Sequence, residues 1–200
     1  MAETSYASCG DLSLAYQVFG EGPVELVFVG PMVTHIELLW TLPEFKAFFE
    51  QLATFCRVVM FDKAGVGLSD PIPKVRLLEE RAAEIEAVMD TVGFGKPVLF
   101  AMSEGGPQAI EFAAKRPERT RALILYGSFA FMNGASWDDL DRDPAELRAG
   151  SLAELGEDYA PPTEQLARAQ EFVRAVRSAW GSGAAAKWWF PSAQIGRAHV

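Results

Sequence analysis

The sequence predicts an α/β domain: a mostly parallel, doubly wound sheet with helices on both faces. Three observations carry this. Short apolar runs that read as buried strands alternate with segments whose apolar residues recur at helical spacing. The stretch Pro97-Val-Leu-Phe-Ala-Met-Ser-Glu-Gly-Gly106 passes from one such strand into a helical segment through a serine and two glycines. Half of the 200 residues are apolar, which makes one globular domain with ample core, or most of one.

Leu12-Ser-Leu-Ala-Tyr-Gln-Val-Phe19 largely alternates apolar and polar residues, as a half-buried strand does, and Gly20-Glu-Gly-Pro23 ends it. Leu26-Val-Phe-Val29 is continuously apolar, which suits a strand covered on both faces. Gly30-Pro-Met-Val-Thr34 follows as a loop. Leu42 to Phe55 places Phe45, Phe48, Phe49, Leu52 and Phe55 at helical spacing and predicts an amphipathic helix. Val58-Val-Met-Phe61 is another buried strand, leading into Asp62-Lys-Ala-Gly-Val-Gly-Leu-Ser-Asp70.

From Leu77 to Val92, Leu78, Ala82, Ile85, Met89 and Val92 fall on one helical face, and Gly93 is the expected stop. Val98 to Met102 is the next strand. A helix over Gln108 to Lys115 must end before Pro117. Ala122-Leu-Ile-Leu-Tyr126 reads as one more buried strand. After Phe131 the strand signals cease. Leu147 to Leu155 is weakly helical, and Thr163 to Trp180 strongly so, with Leu166, Ala169, Phe172, Val173, Val176 and Trp180 on one face. Such an insertion reads either as a lid over an apolar pocket or as a helix packing its apolar face on the core. The domain divides into a core, 1–130, and a lid region, 131–194.

The formal charge of -9 argues against nucleic acid and anionic membrane as partners. Asp138, Asp139, Asp141, Asp143 and Glu146 read as a solvated surface rather than a metal site. Cys9 and Cys56 suggest neither a disulfide framework nor a zinc site. Met1-Ala-Glu-Thr-Ser5 has neither the basic start nor the apolar core of a signal peptide. No apolar run approaches the ~20 residues of a membrane span. The expectation is a soluble, cytoplasmic chain that uses no metal and no organic cofactor.

Small-x-Ser-x-Gly between a strand and a helix is the pattern of a nucleophile elbow. The turn is tight, so the neighbours two before and two after Ser103, namely Ala101 and Gly105, must be small. The serine oxygen then projects, and the N–H of the next residue, Glu104, can receive a substrate oxyanion. An ordinary strand-to-helix turn uses the same residue types.

With the elbow, the Asp62–Asp70 loop and their order in view, the sequence resembles the α/β-hydrolase superfamily. More narrowly it is similar to the subgroup found alone or fused to adenylate/guanylate cyclase catalytic domains. The matching stretches are Phe61-Asp-Lys-Ala-Gly-Val-Gly-Leu-Ser-Asp70, Glu79-Glu-Arg81 with Ala87-Val-Met-Asp90, Ser103-Glu-Gly-Gly-Pro107, Phe112-Ala-Ala with Arg116-Pro-Glu-Arg119, and Trp180-Gly-Ser-Gly183. The resemblance implies an α/β-hydrolase fold with a helical lid and a Ser–acid–His triad, the serine first in chain order. Ser103 matches the nucleophile. The oxyanion hole would take the N–H of Glu104 and that of Met32, with Gly30-Pro31-Met32 on the family's His-Gly-x. Pro31 is a departure, although the donor needed is the next residue. Ala64 stands where the family carries an arginine. Asp62 and Asp70 read as loop-structuring residues. His35 and Trp180 are candidate pocket-lining residues.

A serine needs a base to take its proton, and the base is usually a histidine held by a carboxylate. The two histidines are His35, too early for the triad of this fold, and His199. Ile195-Gly-Arg-Ala-His-Val200 can be encoded by ATC GGA AGA GCA CAC GTC, which resembles a widely used sequencing adapter. The expectation is that residues 195–200 are translated adapter and that the acid, the histidine and the last strands lie beyond residue 194. The predicted function is a serine hydrolase acting on an ester or similar small acyl substrate, inactive as this fragment. The aromatic residues Trp137, Trp180, Trp188, Trp189 and Phe190 suggest an apolar acyl or ring group. The alternative is a ligand-sensing module regulating a cyclase or other signalling domain fused to it. A peroxidase or dehalogenase relative is a third option, and Ser103 in place of an elbow aspartate speaks against the dehalogenase.

Overall fold

The computed structural model of the chain describes residues 2–32, 34–74 and 76–128, with 143, 145, 146, 163, 164, 167, 168 and 171. Two antiparallel strands begin it, β1 (Ser5–Cys9) and β2 (Leu12–Phe19), in register Ser5 to Tyr16 and Cys9 to Leu12. They are followed by β3 (Val24–Val29), the single-turn helix α1 (Ile36–Leu39), α2 (Pro43–Ala53) and β4 (Cys56–Phe61). Then come α3 (Leu78–Val92), β5 (Val98–Met102), α4 (Gly105–Lys115) and β6 (Ala122–Tyr126). The sheet order is β1-β2-β4-β3-β5-β6, parallel from β4 through β6. This is the mostly parallel sheet with helices on both faces that the strand–helix alternation predicts.

The continuously apolar strands have a simple cause. Val27, Val29, Val59, Leu99 and Ala101 point to one face, where Ile85, Val88 and Met89 of α3 and Ala109 and Phe112 of α4 cover them. Leu26, Phe28, Val58, Met60 and Phe100 point to the other, under Ile36, Leu39 and Phe49. Period-two side chains with two buried faces leave no polar position to show the alternation.

Four expectations need correction. The helix expected over residues 42–55 ends at Ala53, and Phe55 lies beyond it, 49% exposed. Phe48 is 43% exposed, because α2 seats Phe49, not Phe48, at the bottom of the sheet contact. Ala122–Tyr126 is not a buried strand: Ile124, Leu125 and Tyr126 are 48%, 47% and 61% exposed. Among the described residues β6 is an edge strand, paired with β5 only. Finally, α4 starts at Gly105, three residues before the expected Gln108. The lid region 131–194 and Trp180 lie outside the described residues, apart from the scattered positions given above, and so do 195–200 with His199.

The loop after β4 is braced by Asp62, which is fully buried. Its carboxylate accepts the N–H of Ile36 at 3.2 Å and that of Leu68 at 3.0 Å. Gly67 has a φ of +55°, and a Cβ there would stand 2.1 Å from an Asp62 oxygen. At the far end Asp70 accepts the N–H of Ser13 at 2.8 Å. Burial pushes the Asp62 pKa up to about 6, against the opposing N–H groups of Leu68 and Ile36. The folded chain therefore holds this proton more tightly than the unfolded one. That stabilisation is fully present below about pH 4 and is lost as the pH rises through about 6. Asp62→Asn, which does not titrate, is expected to narrow its stability gap to wild type by about 2 kcal/mol between pH 4 and pH 7. Urea unfolding at both pH values measures the gap; a constant gap would refute the assignment.

Candidate active site

Ser103 sits between β5 and α4 with φ +52°, the one positive value outside glycine among the described residues. Such a conformation costs an ordinary residue about 1–2 kcal/mol and persists only where surrounding contacts impose it. They do so here. The Ser103 N–H donates to the Tyr126 carbonyl at 3.0 Å, and its own carbonyl accepts from Gly106 N–H at 3.1 Å and from Ser128 Oγ at 2.7 Å. The side chain is half-buried rather than enclosed.

The first turn of α4 opens on Gly105 because the end of β3 and the loop after it press on it. A Cβ on Gly105 would stand 2.2 Å from the Val29 carbonyl oxygen and 2.6 Å from that of Gly30. This close approach brings the elbow and the Gly30-Pro31-Met32 loop together, as the assignment of an oxyanion hole requires. Among the described residues no acceptor pairs with the N–H of Glu104 or of Met32. Glu104 is the N-cap residue of α4, so the positive end of that helix faces the same place.

The Glu104 side chain does not cap the helix. It turns inward, into a buried group of charges. One oxygen accepts from Lys63 Nζ at 2.7 Å, and the other pairs with Arg81. Lys63 also donates to the Pro31 carbonyl at 3.3 Å. Next to them Glu84 pairs with Arg76 at 2.8 Å and accepts the Ala64 N–H at 3.4 Å. Burial raises the Glu104 carboxyl, but Lys63 and Arg81 overcome it and hold it below the usual range. Burial lowers the Lys63 ammonium, with Glu104 opposing. Sequence reasoning assigned no role to Lys63, Arg81 or Glu84. Lys63 and Arg81 lay inside quoted motifs, and the signal available was a charged residue at an inward helical position, Glu84 beside Ile85.

His35 is buried and caps α1: its Nδ1 accepts the Leu38 N–H at 3.4 Å. A neutral ring accepting at Nδ1 carries its proton on Nε2 and has no free lone pair for a serine. Burial lowers its pKa, with Glu37 opposing. A cavity of about 270 Å³ lies beside the strands entering the elbow, lined by Phe28, Phe45, Phe48, Phe100, Met102 and Tyr126, with Glu44 its one charged wall. Arg168 meets Glu44 at 2.9 Å, an exposed ion pair of little energetic weight. Among the described residues no helix is long and apolar enough to cross a membrane.

A family model described as the alpha/beta hydrolase fold matches residues 39–175. RutD of Azorhizobium caulinodans, named provisionally as a carbamate hydrolase, is 30% identical over 129 residues, 64% of this chain and 46% of that protein. The proline iminopeptidase of Neisseria gonorrhoeae is 33% identical over 89 residues, 44% of this chain and 28% of the enzyme. The chain thus spans less than half the length of either relative. A solved hydrolase structure from Pseudomonas aeruginosa superposes with a TM-score of 0.65 at 22% identity, covering 90% of this chain and 68% of that one.

Proposed function

This chain belongs to the α/β-hydrolase fold family, and we propose that it is the serine-bearing part of an esterase-like hydrolase acting on a small acyl substrate. One observation carries the reading: Ser103 is held at φ +52° on a strand-to-helix turn pressed against the loop that carries Met32. Ser103 Oγ attacks the substrate carbonyl carbon while its proton passes to a base. The oxygen of the tetrahedral intermediate is received by the N–H groups of Glu104 and Met32. Collapse expels the alcohol, which takes the proton, and leaves an acyl-serine; water then releases the acid by the same steps. The base is a histidine oriented by a carboxylate, both beyond residue 194 in the full-length protein. His35, committed to capping α1, does not replace it. The 200-residue chain alone is therefore expected to turn over little or no ester.

The test joins gene and protein. The coding DNA is read across codon 194, and the full-length product is treated with a fluorophosphonate and mapped by mass spectrometry. The expected result is a continuation unlike residues 195–200, with a late histidine, and a single adduct on Ser103. An in-frame stop after Val200, or an adduct-free Ser103 in the folded full-length protein, would overturn the reading.

A further inference from the structure

We infer that Lys63 is a positioning residue that fixes both halves of the oxyanion hole and polarises the Met32 donor, a role that rests on the serine-hydrolase reading above. The C=O of Pro31 and the N–H of Met32 are opposite ends of one planar peptide unit. An ammonium held 3.3 Å from the Pro31 oxygen therefore sets the direction in which the Met32 N–H points. It also draws electron density toward that oxygen, which makes the N–H a stronger donor. The same ammonium stands 2.7 Å from a carboxylate oxygen of Glu104, whose own N–H is the second donor. Arg81 holds the other carboxylate oxygen and keeps Glu104 from turning away. One buried cation thus ties residue 31 to residue 104.

Stability does not account for this arrangement. A buried ion pair is often no better than apolar side chains of the same volume. Lys63 is 4% exposed and meets the two peptide segments that form the hole. Oxyanion donors work because they are aimed before the charge develops, and Lys63 supplies that aim from behind.

The experiment uses the full-length protein, a p-nitrophenyl ester of a short acid as substrate, and fluorophosphonate titration to count functional sites. Lys63→Met is expected to lower kcat per titrated site by on the order of 10- to 100-fold, with KM within about threefold, because the lost stabilisation belongs to the transition state. Lys63→Arg, which restores a cation, is expected to recover most of the loss. Where Lys63→Met does not fold, Lys63→Gln, which keeps a hydrogen-bond donor without the charge and leaves Glu104 paired with Arg81, carries the same direction of change. A folded Lys63→Met or Lys63→Gln variant with wild-type kcat would overturn the role of Lys63 alone. A wild-type protein not labelled at Ser103 would overturn this role together with the reading beneath it.

Discussion

Ser103→Ala in the full-length protein is expected to lower kcat/KM for ester hydrolysis by roughly five to six orders of magnitude, with the fold unchanged. The size follows from the chemistry. Without Oγ there is no acyl-enzyme, and only oriented donors and binding remain to act on an attacking water. The strain at this position yields a second readout. Because Ser103 is held at φ +52°, Ser103→Gly removes the nucleophile and the steric conflict together. It is expected to be as inactive as the alanine variant yet about 1 kcal/mol more stable in urea unfolding. A glycine variant that hydrolyses ester, or that is less stable than wild type, would contradict the assignment.

Gly105→Ala is expected to be the most damaging single-methyl change in the candidate active site. Its Cβ would stand 2.2 Å from one backbone carbonyl oxygen and 2.6 Å from the next. Neither obstacle is the free end of a side chain, so relief requires the loop after β3 to withdraw from α4. Overpacking of this kind costs about 3 kcal/mol or somewhat more, which for a domain of this size lowers Tm by roughly 6–12 °C. The same withdrawal moves the Met32 N–H away from the Glu104 N–H, so the surviving folded protein is expected to lose kcat as well. Thermal melts and kinetics on Gly105→Ala check both; a variant with wild-type Tm would show that the contact is not as tight as described.

Much of this site was legible in the sequence because its parts are steric. The need for small residues at Ala101 and Gly105 follows from the turn, and both are buried there. The strands Leu26–Val29 and Val58–Phe61 were legible as two-faced because every residue in them is buried against one helical layer or the other. Gly93, at φ +73°, ends α3 as its position predicts. What stayed hidden has physical causes too. β1 offers one buried side chain, Ala7, in five residues, too few for a period to show. β6 is as apolar as an interior strand, and an apolar run does not say how many neighbours it has. Lys63, Arg81 and Glu84 were assigned no role because charge is usually solvated. Only the meeting of three distant segments turns them into a buried set.

That set has a consequence for descent. Lys63, Arg81 and Glu104 come from β4's loop, α3 and the elbow, all three are buried, and the one carboxylate of Glu104 neutralises both cations. Losing Glu104 alone leaves both cations without their shared carboxylate, a penalty of about 3–5 kcal/mol against a total stability of only 5–15. Losing Lys63 alone leaves Glu104 paired with Arg81. A lineage that alters Glu104 is therefore one in which a cation changed first.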